Sequence, residues 1–125
     1  MILIIPGQPR AKGRPRMTRA GHVYTPQKTR DYESLIKKCF YAQQGEKLNG
    51  PIELKMRAYF RKPKAKAVSD MLSRPDIDNI IKTIDALNGI AFDDDRQIVK
   101  VTAEKLYSTE PRLEIELIEI GEVRK

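Results

Sequence analysis

The opening residues "MILII" form a short apolar run, the pattern of a buried strand, and are followed by "GQPRAKGRPRMTRAGHVY", too rich in Gly, Pro and Arg for regular structure. That second stretch reads as a loop. Thr25 followed by Pro26 predicts a helix start, with Thr as N-cap and Pro at the first helical position. Tyr32, Leu35, Ile36, Cys39 and Phe40 then recur at i, i+3, i+4, i+7 and i+8, the stripe of an amphipathic helix that runs to about Gln44. From Ile52 to Phe60 the period falls to two. Ile52, Leu54, Met56, Ala58 and Phe60 face one way and Glu53, Lys55, Arg57 and Tyr59 the other, which predicts a half-buried strand. After a polar, basic connection, "RKPKAKAVSD", helical spacing returns at Ile77, Ile80, Ile81, Ile84 and Leu87. Residues 97–107 and 112–120 predict two more strands around the turn "STEPR". The expected fold is α+β: one small domain spanning 1–125, with a mixed β-sheet packed against two main helices.

Composition narrows the class. The chain has 125 residues, enough for one real core, and 24 Lys and Arg against 17 Asp and Glu, a formal net charge of +7. Such a surplus points to a polyanionic partner without saying which one. Cys39 is the only cysteine, which excludes an intramolecular disulfide or a Cys-based zinc site and suggests a reducing cytoplasm. The apolar start has no basic region before it and is broken at Pro6, so no signal peptide or membrane span is expected.

Against this basic background, six of the eight aspartates fall within "RPDIDNIIKTIDALNGIAFDDDRQ", residues 74–97. On a helix advancing about 100° per residue, Asp78, Lys82 and Asp85 lie at i, i+4 and i+7, opposite the isoleucine face. An extended approach after Pro75 turns Asp76 the same way as Asp78, and Lys82 stands one turn on. A second acidic group, Asp93, Asp94 and Asp95, follows the helix-ending "NG", so both acidic ends are expected to meet at one rim of the sheet. Three or four converging carboxylates without His or Cys form a hard oxygen site, suited to Mg²⁺ or Mn²⁺. In a basic protein that points to phosphodiester hydrolysis. The plainer reading is a helix cap at Asp78, a weak Asp85–Lys82 surface pair and a solvated turn at 93–95.

The ordered motifs go further. "RPDIDNIIK" followed by "DALNGIAFDDDRQIV" resembles the RusA family of Holliday junction resolvases, whose pattern runs D-x-D-N-x-x-K, then D-A-L, then D-D-x-Q; the basic opening segment is similar as well. The resemblance implies a homodimeric, Mg²⁺-dependent endodeoxyribonuclease of DNA recombination and repair, often encoded by a phage or prophage, that cuts four-way junctions in pairs. It assigns catalysis to Asp76, Asp78, Asp95 and Lys82, and metal binding to Asp76, Asp78, Asp94 and Asp95. "KTIDAL" has one residue fewer between its Lys and the Asp of D-A-L than the family pattern, which rotates the later residues by about 100° and leaves Asp85 without an assigned role. Asp93 has no counterpart.

The basic segments then become the expected DNA contacts: Arg10, Lys12, Arg14, Arg16 and Arg19 in the first loop, Arg61, Lys62, Lys64 and Lys66 in the second, and Arg74 before the acidic pair. Tyr24 is a candidate for stacking on exposed bases, whereas Tyr32, on the apolar stripe, reads as core. His22 and Met17 read as bystanders. Two other functions fit the composition, a non-catalytic nucleic-acid-binding module and a carboxylate nuclease acting on flaps or forks. A dimer interface is expected on the strands at 52–60 and 112–120, where exposed strand edges invite pairing.

Overall fold

A computed structural model describes residues 1–62 and 75–121. The elements in chain order are β1 (Ile2–Pro6), β2 (Arg16–Met17), β3 (Val23–Tyr24), α1 (Gln27–Ala42), β4 (Ile52–Phe60), α2 (Ile77–Ile81), β5 (Ile98–Tyr107) and β6 (Arg112–Glu119). Two 3₁₀ turns, Lys82–Leu87 and Asp95–Gln97, continue α2 and lead into β5. The main sheet is mixed, in the order β1-β6-β4-β5, with β4 and β5 parallel and the other neighbours antiparallel. This is the small α+β domain with two main helices that the periodicity predicts.

The period-two pattern of β4 survives intact. Ile52, Leu54, Met56, Ala58 and Phe60 are buried, and they join Leu3, Ile5, Leu113, Ile115 and Leu117 from the other strands of the sheet in one core. α1 adds Tyr32, Ile36, Cys39 and Phe40 to that core; the α2 segment adds Ile80, Ile84, Ala86 and Leu87. The opposite face of the sheet carries paired charges. Arg57 Nε lies 2.9 Å from Glu114 and its Nη1 3.3 Å from Glu116, while Arg112 holds Glu114 at 2.8 Å and stacks on the Tyr59 ring.

Four expectations need correction. The basic opening loop contains a two-stranded hairpin, β2–β3, closed by Thr18 N–H to His22 O and turned at Gly21, whose φ of +87° suits glycine. Pro26, not Thr25, is the N-cap of α1, and no side chain caps that end. The second helix keeps α geometry only to Ile81 and then tightens to 3₁₀. Finally, β4 and β6 are the two central strands, so neither offers a free edge for a second chain; the edges are β1 and β5.

The two edges differ. On β1, the Gln43 side chain imitates a neighbouring strand, its Oε1 accepting from Ile4 N–H at 2.9 Å and its Nε2 donating to Ile4 O at 2.7 Å. That closes the strand against pairing. On β5 the alternating burial is lost: Val99 is 62% exposed and Val101 45%.

Candidate active site and its basic flank

The first loop is fastened between the two helices at consecutive residues. Lys12 N–H donates to Asn79 O of α2 at 3.0 Å, and Gly13 N–H donates to the buried Thr29 Oγ1 of α1 at 2.9 Å. A Cβ on Gly13 would stand 2.8 Å from that same hydroxyl oxygen, so the close approach requires glycine. Fixed there, residues 12–15 form a partition with a cavity on each side.

On the α2 side the cavity, about 250 Å³, is lined by Asp76, Asp78, Asn79 and Lys82 together with Lys12, Gly13, Arg14 and Pro15. Asp76, with extended backbone at φ −68° and ψ 145°, is the N-cap residue of α2 in place of Asp78, and no side chain makes a cap hydrogen bond there. Both carboxylates and the Lys82 ammonium are exposed, and among the described residues none of the three is in a salt bridge. Because side chains three apart eclipse in a 3₁₀ turn, the tightening at Lys82 sets Asp85 in line with that lysine. Asp85 is taken by Lys12, Nζ to Oδ2 at 2.9 Å.

The second acidic group is divided by its turn. Asp94 is an N-cap: its Oδ1 accepts from Arg96 N–H at 2.8 Å. Gln97 completes a capping box, its Oε1 accepting from Asp93 and Asp94 N–H while its Nε2 donates to Leu48 O and Gly50 O. Asp93 is paired with Lys47. Asp95 remains exposed. The Arg96 backbone N–H, and then a hydrogen bond with Asp95, hold the Asp94 carboxyl below its ordinary value. The same Asp94–Asp95 hydrogen bond, followed by partial desolvation and the like charges of Asp94 and Asp85, pushes Asp95 up. Asp85 is thus near enough to Asp95 for their charges to interact.

Full convergence of the carboxylates is not observed: among the described residues no three His, Cys, Asp or Glu side chains are arrayed as ligands to one ion. The physical reason is visible in the partners. Asp94 lines a different cavity, with Asn49, Gly50 and Val99, and Lys12 neutralises Asp85. The Asp76–Asp78 pair still suits a hard divalent cation, since both residues are exposed and among the described residues neither is in a salt bridge. Gln97 was the residue sequence reasoning missed; its place in D-D-x-Q, three after the capping Asp, is the signal that marks it.

On the α1 side of the partition lies a larger cavity, about 480 Å³, lined by Arg10, Arg14, Arg16, Lys28, Thr29 and five other residues besides Gly13, among them Pro9, Pro15, Pro26 and Pro75. No acid lines it. Arg19 is exposed in the hairpin turn, beside Met17 and Val23, each 67% exposed. Arg61 and Lys62 are exposed at the end of β4; Lys64, Lys66 and Arg74 lie outside the described residues. Tyr24 is exposed, and Tyr32 is core: burial pushes its hydroxyl up to about 12, and the Arg10 backbone beside it offsets this only in part without reaching hydrogen-bond geometry. His22 belongs to the hairpin turn and Cys39 to the core. No helix among the described residues is long and apolar enough to cross a membrane.

Comparison with known proteins gives two matches. The family model described as Endodeoxyribonuclease RusA matches residues 6–118. The chain is also 32% identical over 132 residues to a protein of Bacillus subtilis (strain 168) named "Uncharacterized protein YqaN", covering 92% of this chain and 93% of that one.

Proposed function

Because this chain belongs to the RusA family of endodeoxyribonucleases, we propose that it is a metal-dependent endodeoxyribonuclease that resolves four-way (Holliday) junctions by paired phosphodiester hydrolysis, as a homodimer. The observation that carries this reading is the shared partition: Asp76, Asp78 and Lys82 line one cavity, and Gly13, Arg14 and Pro15 separate it from a cavity whose charged groups, among the described residues, are all cations. A nuclease needs that juxtaposition, because the substrate is an anion and its hydrolysis needs a cation held by anions.

Asp76, Asp78 and Asp95 are the carboxylates proposed to hold Mg²⁺, or Mn²⁺ in its place; Asp94 holds the turn that presents Asp95. When bound, the ion supplies a nucleophilic water at neutral pH and charge neutralisation at the phosphate. Lys82 stabilises negative charge developing on the phosphoryl oxygens. Lys12 is anchored twice on the α2 side, to Asp85 through its ammonium and to α2 through its backbone. Arg10, Arg14, Arg16, Arg19, Arg61, Lys62, Lys64 and Arg74 neutralise phosphates on the arms of branched DNA. A two-fold dimer matches the approximate two-fold symmetry of a junction and places one acidic site at each of the two strands to be cut.

The test is a synthetic four-way junction in Mg²⁺, compared with a linear duplex and a fork. Paired, symmetric cuts on the junction are expected. Preferential cutting of the fork would support a flap or fork nuclease, and binding without cutting in either Mg²⁺ or Mn²⁺ would support a binding module. Sedimentation with and without junction DNA tests the dimer, and a monomer that still makes paired cuts would defeat that part.

A further inference from the structure

We propose that the cavity at the start of α1 is a single-strand site, which takes the sugar-phosphate of an unpaired nucleotide in the DNA strand that continues from the acidic cavity, with Lys28 as the residue that marks it. The proposal rests on the nuclease reading for the identity of the polyanion. Three independent features support it. First, Arg10, Arg14, Arg16 and Lys28 converge on the cavity, and among the described residues no acid lines it and none of the four is in a salt bridge. Asp31 shares an adjoining cavity with Arg10 and Lys28 but is in no salt bridge with either, and the like charges gathered at this cavity repel one another, so an anion in it stabilises the arrangement.

Second, the helix terminus beside them is bare. α1 is 16 residues long, its N-cap is Pro26, no side chain caps it and no acid stands in its first turn. Thr29 Oγ1 does not serve as a cap; it accepts from Gly13 N–H instead. The unsatisfied N–H groups of α1 and the positive end of its dipole therefore add to the field of Lys28 at the Pro26–Lys28–Thr29 wall. The nearest carboxylate along the helix, Asp31, is engaged by the Gln27 amide at 2.7 Å.

Third, size and lining select one strand. About 480 Å³ lies low in the ~300–1,000 Å³ range of single-ligand sites, room for a nucleotide unit and not for a duplex. The remaining walls are chiefly proline rings, Pro9, Pro15, Pro26 and Pro75. These rigid, apolar surfaces suit the face of a sugar or an unstacked base, which a duplex keeps inside. The two cavities share Gly13, Arg14 and Pro15 as lining, so they lie side by side and one strand can reach both across that partition. A branch point is where duplex DNA offers such a nucleotide.

Lys28 gives a clean test because it is exposed, lies only on the α1 side and is not among the residues assigned to hydrolysis. Fluorescence anisotropy of the full chain without divalent metal would measure binding of a single-stranded oligodeoxynucleotide and of the duplex of the same sequence over a salt series. Lys28→Gln should weaken single-strand binding about fivefold and reduce its salt slope by about 0.7, while duplex affinity changes less than about twofold. Lys28→Arg should restore the single-strand value, and Lys38→Gln, far along the same helix, should leave both unchanged. Equal loss on both DNAs would make Lys28 a general surface charge and overturn the proposal; so would no loss. Junction cleavage by the native chain separates the two readings: cleavage with an inert Lys28 removes only the single-strand site, and a Lys28 effect without cleavage removes only the resolvase.

Discussion

On one side of the partition at residues 12–15 the carboxylates of Asp76 and Asp78 stand beside Lys12, Arg14 and Lys82, on the other the charged groups among the described residues are all cations, and the contrast with the open face of the sheet explains why that matters. On the sheet, Arg57, Arg112, Glu114 and Glu116 are interleaved and neutralise one another at 2.8–3.3 Å. Of the charged groups that line the two cavities at the partition, only Lys12 is in a salt bridge among the described residues. Asp76 and Asp78 lie on the α2 side, Arg10, Arg16 and Lys28 on the α1 side, and among the described residues none of these five is in a salt bridge. The segregation begins in the chain, whose first 30 residues hold seven Lys and Arg and no Asp or Glu, whereas the aspartates gather after residue 74. Interleaved charges make a stable surface; segregated ones remain available to a ligand.

The strongest way to break the contrast is to remove one side. Asp76→Asn, Asp78→Asn or Asp95→Asn should each lower junction cleavage by at least ~100-fold, with junction binding unchanged or tighter because repulsion of phosphate falls. Lys82→Ala should lose cleavage at a different step, so raising Mg²⁺ should not restore it; recovery at high metal would make Lys82 an affinity residue. Full activity in any aspartate variant would remove that residue from the site.

Altering the partition itself should disturb both sides together. Gly13→Ala places a methyl 2.8 Å from Thr29 Oγ1, and forcing the loop off α1 should cost about 1–3 kcal/mol in thermal or denaturant unfolding. DNA binding and cleavage should fall in parallel. A fully stable, fully active variant would show that the loop does not need its close contact with α1.

Neutralising the cationic side is a gentler change. Arg14→Gln with Arg16→Gln should weaken binding to linear and branched DNA alike and reduce the salt slope by roughly one to two units if both contact phosphate. An unchanged slope would return both to solvent, and an effect confined to junctions would indicate recognition of branch shape.

The interleaved face supplies the smallest effect on the site. Burial alone would raise the Glu114 carboxyl, but hydrogen bonds from Arg57 and Arg112 outweigh it and hold the group below its ordinary 4.5. A depressed native value means the stabilisation is present above about pH 4.5 and disappears as pH falls through the lower native value. Native protein should therefore exceed Glu114→Gln by about 1–3 kcal/mol near neutrality, with the gap closing in acid and DNA binding unaffected. A gap that persists or widens below about pH 4 would refute the ion-pair account.

What the sequence determined by itself is whatever depends on neighbours along the chain. The alternation in β4 and β6 and the stripe of α1 set which side chains enter the core, and D-x-D-N-x-x-K set Asp76, Asp78 and Lys82 on one local surface. Those patterns repeat within a turn or a pleat, so a local reading captures them. The tertiary structure decided what depends on residues far apart. Strand order made β4 and β6 interior when their patterns read equally well as edges, because period reports which face is buried and not which neighbour lies alongside. The pairing of Lys12 with Asp85 spans 73 positions, and the seat of Gly13 on Thr29 spans 16. The Asp-rich window looked like one cluster in sequence because six carboxylates fall within 24 residues. Folding distributed them among a cavity, a cap and two ion pairs, since like charges stay close only where a partner or solvent offsets their repulsion.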